Sequence, residues 1–173
     1  LGNIRPAKGY EVMLKAAALL KQQLKPFRFV IAGQGKGSLY NALLKLRSNL
    51  DLDEYVQFLG FNDDPAEYLA NLDIFLLSSI SEGFSIATIQ AMASHLPVVV
   101  TKSGGPEEIV THGENGWLVE VGDAEAIAAA LEELRVNPDL GKKLSAKGCQ
   151  HAQERFDIRS MLDAYELIYN KLI

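Results

Sequence analysis

The sequence predicts an α/β fold, a Rossmann-like parallel sheet with helices on both faces. Short apolar runs alternate with longer segments of helical spacing along the 173 residues. The runs are continuous, as in Val98-Val99-Val100, rather than alternating between apolar and polar residues. Continuous runs are typical of parallel strands that are buried on both faces. Glycine follows two of them, at Gly33 and Gly60, where a strand would turn toward the next helix.

Each element has its own local signal. Apolar residues recur at helical spacing after Gly9, which predicts a helix from Tyr10 to Leu24 that ends before Pro26. Ser38 and Asp123 are credible N-caps for later helices. The predicted strands are 27–32, 55–59, 73–77, 98–101 and 117–119. The other predicted helices are 38–49, 65–72, 85–94, 106–110, 124–135, 138–154 and 157–173.

The composition excludes several classes of protein. Apolar residues make up 48% of the chain and charged residues 23%, which argues against disorder. No apolar run approaches the roughly 18–20 residues of a membrane-spanning helix. The net charge is −5 and the basic residues are scattered, which argues against a nucleic-acid partner. The single cysteine, Cys149, excludes an internal disulfide and favours a cytoplasmic location.

The start of the chain is unusual. Leu1-Gly2-Asn3 has neither an initiator methionine nor a signal peptide, and Gly2 resembles a turn after a strand that is not there. We therefore expect residues 1–173 to be a single domain cut from a longer protein and to lack most of its first strand.

The loops at one edge of the sheet are the expected ligand site. Parallel sheets of this kind bind ligands beyond the carboxyl ends of their strands. The helices that follow the strands present free N–H groups and the positive end of the helix dipole there, which suits anionic ligands. The loops concerned are 2–8, 33–37, 60–63, 78–85 and 101–106.

The candidate residues on these loops each allow two interpretations. Glu82 could simply complement the dipole of the next helix, or it could accept hydrogen bonds from sugar hydroxyls. Lys8 opposes the dipole of the helix after it, which hints at an anionic ligand, although a solvated surface lysine is an equal alternative. Arg5 gives the same signal more weakly. The segment from Gly33 to Gly37 matches neither a P-loop nor a dinucleotide fingerprint, so it is a flexible turn or the lining of a phosphate pocket.

Other reactive residues favour no site. The three histidines lack the spacing of metal ligands, so no metal site is predicted. Ser85 has no nucleophile elbow around it, which leaves a hydrolase unsupported. Glu108 lies in a predicted first helical turn, where an acid is favoured structurally.

One family carries the same blocks in the same order across nearly the whole chain. The sequence resembles the C-terminal, donor-binding domain of retaining GT-B glycosyltransferases, the glycosyl transferases group 1 or family four. The blocks that carry the resemblance are Lys8-Gly9, Gly33-Gln34-Gly35, Phe58-Leu59-Gly60, Ser81-Glu82-Gly83-Phe84, Ala91-Met92-Ala93, Pro97-Val98-Val99, Gly104-Gly105 and Glu108-Ile109-Val110.

The resemblance implies a role for each matching residue. Lys8 would contact the diphosphate of a nucleotide-sugar, and Glu82 would lie beside the donor sugar as the first glutamate of the family's E-x7-E motif. These two residues are therefore the predicted catalytic residues. The turn Gly83-Phe84-Ser85 would offer backbone N–H groups to the sugar or phosphates. The backbone of Asn62 would meet the base, and Gly33 and Gly35 would line the phosphate pocket. No cofactor is implied, since the UDP- or GDP-linked donor is a substrate.

Three positions depart from the family pattern. Gln90 replaces the second glutamate of the motif, which usually holds the ribose, and it lacks the charge that strengthens such a grip. Asn3 replaces a diphosphate-binding arginine, for which Arg5 is a candidate substitute. His95 replaces a glycine at a helix end, where left-handed geometry is common.

These observations leave two functions open. The first is the donor domain of a glycosyltransferase. An absent N-terminal domain would then bind the acceptor and make any peripheral membrane contact. In isolation this domain would bind nucleotide weakly and turn nothing over. The second is a degenerate domain kept as a scaffold, which the substitutions at Gln90 and Asn3 favour. A flavodoxin-like receiver is disfavoured, because no Asp cluster lies near residues 2–8.

Overall fold

The computed structural model of the chain describes residues 1–23 and 26–172. Its elements alternate as predicted, after a short 3₁₀ turn at Pro6–Lys8. The strands are β1 (Phe29–Ala32), β2 (Val56–Gly60), β3 (Phe75–Leu77), β4 (Val98–Thr101) and β5 (Trp117–Val119). The helices are α1 (Tyr10–Gln23), α2 (Gly37–Asn49), α3 (Pro65–Ala70), α4 (Ile86–Ala93), α5 (Gly105–Ile109), α6 (Ala124–Val136), α7 (Pro138–Phe156) and α8 (Ile158–Leu172).

Local signals placed most helix starts correctly. Asp64, Ser85 and Asp123 each cap a helix by accepting a hydrogen bond from a backbone N–H three residues on. Ser38 was predicted as an N-cap, and that prediction is wrong. The chain turns into α2 at Gly37, which takes a φ of 76°, so Lys36 becomes the N-cap and Ser38 falls inside the helix. The predicted end of the first helix, Leu24, lies outside the described residues.

All strand pairs are parallel, which confirms the predicted fold class, but the hydrogen bonds fall into two groups. One group pairs β1 with β2, and the other pairs β4 with β3 on one side and β5 on the other. The N-terminal segment lies between the groups at their carboxyl ends. Gly2 donates its N–H to Ala32 at the end of β1 (2.8 Å), and Ile80 after β3 donates to Ala7 (2.7 Å). The chain's first residues therefore connect the two groups at the edge where ligands are expected.

A cleft of about 1070 Å³ runs between β1 and β3. Apolar residues of both strands line it, among them Val30, Ile31 and Phe75, together with Leu131 and Leu134 of α6. It reaches Lys8 at one end, but much of its lining comes from the segments before β1 and β3 and from α6 and α7, away from the loops at the carboxyl ends of the strands. We therefore place the candidate ligand site at the loops rather than in this cleft.

The sheet is buried on both faces, as the continuous apolar runs predicted. Val98 and Val100 belong to one buried cluster, with Met92 of α4, while Val99 between them belongs to a second cluster with Ile127 of α6. All three valines are fully buried. Successive side chains of a strand point to opposite faces, so helices must cover both.

Two glycines of α7 give opposite expectations for the same substitution. At Gly141, an added Cβ would approach no atom closer than Pro97 Cγ at 3.9 Å. At Gly148, it would lie 2.9 Å from the carbonyl oxygen of Asn115. We expect Gly141→Ala to raise the free energy of unfolding by about 0.5–1 kcal/mol, because alanine loses less backbone entropy in a helix.

We expect Gly148→Ala to lower the free energy of unfolding instead, because α7 must move away from Asn115 to accommodate the methyl group. Denaturant unfolding of the two variants beside the parent chain checks both signs. Destabilisation by Gly141→Ala would contradict the packing described for α7.

The left-handed geometry expected at His95 is present, with a φ of 59°. The N–H of His95 bonds to the carbonyl of Met92 (3.0 Å), and that of Leu96 to Ala91 (3.1 Å), which is the Schellman pattern at a helix end. The His95 ring contacts the buried thiol of Cys149 on α7, at 3.3 Å between Nε2 and Sγ. This contact gives the histidine a packing role that a glycine would not have.

The three helices from Asp123 onward do not pack equally. Both α6 and α7 contribute to buried clusters, whereas α8 leaves its large apolar side chains exposed. Those side chains are Ile158, Met161, Leu162, Tyr165, Leu167, Ile168 and Tyr169. Among the described residues, no helix combines the length and the hydropathy needed to cross a membrane.

Candidate functional site

Lys8 is held against the loop that follows β3. It ends the 3₁₀ turn, and its carbonyl accepts a hydrogen bond from the hydroxyl of Ser78 (3.1 Å). Gly9 follows with a φ of 61°, and a Cβ there would lie 2.0 Å from the carbonyl oxygen of Ser78. Only glycine allows this approach, which explains why the Lys8-Gly9 pair occurs at this point of the chain.

Lys8 and Glu82, 74 residues apart in sequence, form an ion pair. The Lys8 ammonium donates to Oε1 of Glu82, and the side chains are 22% and 13% exposed. A half-sheltered pair at the carboxyl edge of a parallel sheet is accessible to a ligand and is less screened than a surface pair. Both residues predicted as catalytic are therefore brought together.

The same carboxylate oxygen accepts a second hydrogen bond, from the hydroxyl of Ser79 (2.6 Å). Ser79 is fully buried, and its carbonyl accepts a hydrogen bond from Thr101 Oγ1 on β4 (2.6 Å). Sequence analysis missed both hydroxyl residues. The available signal was the pair Ser78-Ser79 directly after a buried strand, where a polar side chain needs a partner.

The backbone of Glu82 is fixed by the loop after β4. Its N–H donates to the carbonyl of Ser103 (2.9 Å), and its carbonyl accepts from the N–H of Gly105 (3.0 Å). A Cβ at Gly105 would lie 1.9 Å from the carbonyl oxygen of Gly83, so the two loops touch only because this residue is glycine. The Gly104-Gly105 pair thus acts on Glu82 through backbone contact.

The turn after Glu82 presents three consecutive backbone N–H groups, those of Gly83, Phe84 and Ser85. Within residues 1–23 and 26–172, none of the three has an intramolecular hydrogen-bond acceptor. They precede the N-terminus of α4, whose dipole adds positive potential. Such a row of N–H groups is suited to oxygens of an anion or a polyhydroxylated ligand.

The Ser85 and Phe84 side chains have structural tasks. The Ser85 hydroxyl is buried and caps α4, where it bonds to the hydroxyl of Thr88 (2.8 Å). The Phe84 ring is half exposed and contacts Phe156 at the end of α7 edge-on, at 5.8 Å between ring centroids. The Ser85 hydroxyl is thus already engaged, whereas the backbone N–H groups of the turn are available to a ligand.

Tyr10, at the start of α1, forms a hydrogen bond to the N-terminal segment. Burial, reinforced by nearby Tyr68 and Glu82, raises the pKa of the Tyr10 phenol to about 12. The hydroxyl therefore stays protonated at neutral pH and donates to the carbonyl of Gly2 (3.0 Å). This bond helps to hold residues 1–8 between the two groups of strands.

Two of the predicted phosphate-pocket residues have a packing reason to be glycine. A Cβ at Gly33 would lie 1.8 Å from the carbonyl oxygen of Gly2, and one at Gly35 would lie 2.5 Å from the ring of Tyr40. Their role toward a ligand stays a prediction.

The remaining predicted residues lie apart from the ion pair. The Asn3 side chain accepts the N–H of Gln34 (3.2 Å), and that of Asn62 accepts the N–H of Asp64 (2.9 Å) ahead of α3. Arg5 and Gln90 are exposed. In the part of the chain that the structure describes, no hydrogen bond or ion pair connects any of these four side chains with Lys8 or Glu82.

The acidic residues after Gly105 differ in role. The carboxylate of Glu107 accepts the N–H of Gly104 (2.6 Å), whereas Glu108 is exposed. Among the described residues, no group of three or more His, Cys, Asp or Glu side chains is arranged to hold a metal ion.

The family model for glycosyl transferases group 1 matches residues 1–151. The chain is 34% identical over 161 residues to a putative glycosyltransferase, EpsD, of Bacillus subtilis, covering 91% of this chain and 42% of that protein. It is 30% identical over 169 residues to the N-acetyl-alpha-D-glucosaminyl L-malate synthase of Bacillus anthracis, covering 98% of this chain and 44% of that enzyme. The chain thus spans less than half the length of these relatives.

Solved structures share the fold. The C-terminal domain of a group 1 family glycosyl transferase (LpcC) from Francisella tularensis superimposes with a TM-score of 0.83 at 29% identity, covering 91% of this chain and 84% of that one. HepE of Anabaena, solved in complex with UDP and glucose, gives a TM-score of 0.91 at 25% identity, covering 98% of this chain and 47% of HepE. The fold is that of the C-terminal domain of GT-B glycosyltransferases.

Proposed function

We propose, because this chain belongs to the glycosyl transferases group 1 family, that it is the donor-binding domain of a retaining glycosyltransferase of family four. The intact enzyme would transfer a sugar from a UDP- or GDP-sugar to an acceptor bound by an N-terminal domain. The observation that carries the proposal is the Lys8–Glu82 ion pair beside the three N–H groups of residues 83–85, which have no acceptor among the residues that the structure describes.

Each part of this arrangement suits one part of a nucleotide-sugar. The Lys8 ammonium suits the diphosphate, and the carboxylate of Glu82 suits hydroxyl groups of the sugar. The N–H groups of residues 83–85 suit phosphate or sugar oxygens between the two. Gln90, Asn62, Gly33 and Gly35 belong to the ribose, base and phosphate ends of the same proposed site, as the family resemblance implies.

These groups would favour the transfer step electrostatically. Breaking the bond between sugar and phosphate leaves a nucleoside diphosphate with growing negative charge. An ammonium and N–H dipoles that are already aimed at this charge stabilise it more in the transition state than in the ground state. In the proposed chemistry, Lys8 and backbone dipoles stabilise the charge that a metal cation stabilises in other enzymes.

Titration of this chain with UDP and with GDP tests the proposal. We expect weak binding and no turnover, with NMR shifts centred on Lys8 and on residues 82–85. A flat calorimetric titration together with unchanged resonances at millimolar nucleotide would overturn the binding proposal for this chain.

A second candidate is a degenerate domain retained as a scaffold. Two observations favour it. Gln90 lacks the charge of the expected glutamate, and the Asn3 side chain is already bonded to Gln34, so it does not replace an arginine toward a phosphate. This candidate predicts a folded chain that binds neither nucleotide.

Gln90→Glu in the full-length protein separates the two candidates. A large gain in transferase activity would indicate an eroded donor site. Where the parent protein has measurable transferase activity, unchanged or lower activity in Gln90→Glu would indicate that glutamine serves the ribose well, and it would favour the enzyme.

A further inference from the structure

Ser79 contacts the carboxylate of Glu82 from the buried side of the candidate site. Its side chain is fully buried, and its hydroxyl donates to Oε1 of Glu82 at 2.6 Å. Lys8 donates to the same oxygen. Among the described residues, the other carboxylate oxygen, Oε2, accepts no hydrogen bond from any donor. The carboxylate is thus held at one oxygen and open at the other.

The support behind Ser79 is rigid. Thr101 Oγ1 donates to the Ser79 carbonyl (2.6 Å), and Thr101 is itself fully buried at the end of β4. The register between β3 and β4 pairs Leu77 with Val100, which fixes the two strand ends beside each other. The Ser79 hydroxyl is therefore anchored to the sheet, whereas the Lys8 ammonium ends a flexible stem.

The two donors to Oε1 differ in what a bound donor would do to them. A diphosphate would compete with Glu82 for the Lys8 ammonium, because a phosphate oxygen is an equally good ion-pair partner. Ser79 has no such alternative, since it is buried away from solvent. With a diphosphate bound, Ser79 would be the donor that still holds Glu82 in place.

We propose that Ser79 is a positioning residue, which fixes the Glu82 carboxylate through Oε1 so that Oε2 faces the hydroxyl groups of the donor sugar. This inference rests on the proposed donor-binding function and assigns Ser79 a part in recognition of the sugar rather than of the nucleotide. A short-range serine–glutamate bond that only stabilises the turn is the competing explanation.

The two explanations predict different ratios of the affinity for a sugar-nucleotide to the affinity for its bare nucleotide. This ratio is the gain from the sugar. The probes are UDP, GDP and a panel of UDP- and GDP-linked hexoses, titrated into the chain and into Ser79→Ala. We expect at least one sugar-nucleotide to bind the parent chain more tightly than its bare nucleotide. Ser79→Ala should reduce that gain by about tenfold or abolish it, because a hydrogen bond to a charged group is lost. Affinity for the bare nucleotide should stay unchanged.

Ser103→Ala is the matched control. Ser103 is buried on the adjoining loop, and its hydroxyl makes two long hydrogen bonds to Thr101, donating to the carbonyl at 3.3 Å and accepting from Oγ1 at 3.4 Å, without touching the Glu82 carboxylate. Its backbone carbonyl, which accepts the N–H of Glu82, is kept in the alanine variant. Ser103→Ala should retain the gain from the sugar. A second measurement compares Glu82→Gln with the double variant Ser79→Ala, Glu82→Gln. If Ser79 acts through Glu82, the serine substitution should have little further effect once the carboxylate is gone.

The outcomes are distinguishable. If Ser79→Ala keeps the full gain, or lowers sugar-nucleotide and bare-nucleotide affinity equally, the positioning role is overturned. If bare nucleotide binds but no sugar of the panel adds affinity, the inference is overturned while nucleotide binding stands. If no nucleotide binds at all, the proposed function itself has failed.

Discussion

Lys8→Ala is expected to weaken nucleotide binding by about tenfold to a hundredfold. The ammonium is proposed to contact the diphosphate, and a hydrogen bond to a charged group contributes about 1.5–3 kcal/mol. In the full-length enzyme, the loss in transfer rate is expected to reach the order of a hundredfold, because charge on the departing diphosphate grows in the transition state. Calorimetry on this chain and steady-state kinetics on the full-length protein measure the two effects.

Lys102→Ala provides the matched control for Lys8→Ala. Lys102 lies at the same edge of the sheet, directly after β4, and it also pairs with a glutamate, Glu120. Its removal changes the net charge equally, so a general electrostatic effect would weaken binding in both variants. Equal losses in the two variants, or unchanged binding in Lys8→Ala, would contradict a specific contact between Lys8 and the diphosphate.

The fold could be predicted from sequence because its signals are local. The run Val98-Val99-Val100 indicates a strand that is buried on both faces, and both faces are covered. The two groups of strands could not be predicted, because they depend on where residues 1–8 lie between β1 and β3. That placement comes from long-range contacts, such as the bond between Ile80 and Ala7, which leave no periodic pattern in the sequence.

The candidate site was predicted only in part, again because long-range contacts leave no signal in the sequence. Strand ends indicated Lys8 and Glu82, and the structure joins them in one ion pair. The hydroxyl of Ser79 was not identified, because a serine in a loop gives no signal until its buried partner is known. Glu107 is the opposite case, because its role is local in sequence. Acids in this first helical turn were expected to be structural, and Glu107 accepts the N–H of Gly104 at the start of α5.

Gly105→Ala is the substitution with the largest expected effect on the site as a whole. The added Cβ would lie 1.9 Å from the carbonyl oxygen of Gly83 and 2.8 Å from Cα of Phe84, both backbone atoms that cannot rotate away. The two loops must separate, and the bonds of Glu82 to Ser103 and Gly105 are then lost. We expect the free energy of unfolding to fall by about 2–3 kcal/mol, as overpacking usually costs, and nucleotide binding to fall by more than tenfold, because Glu82 and the N–H groups of residues 83–85 move together.

Gly141→Ala separates this effect from the general consequence of replacing glycine. It adds the same methyl group in a helix with room for it, so it should leave nucleotide affinity unchanged while stability rises. Denaturant unfolding, nucleotide titration and the NMR resonances of residues 82–85 are compared for both variants. If Gly105→Ala binds nucleotide like the parent chain, close contact between the two loops is not needed for the site. The N–H groups after Glu82 would then have to act independently of the loop that follows β4.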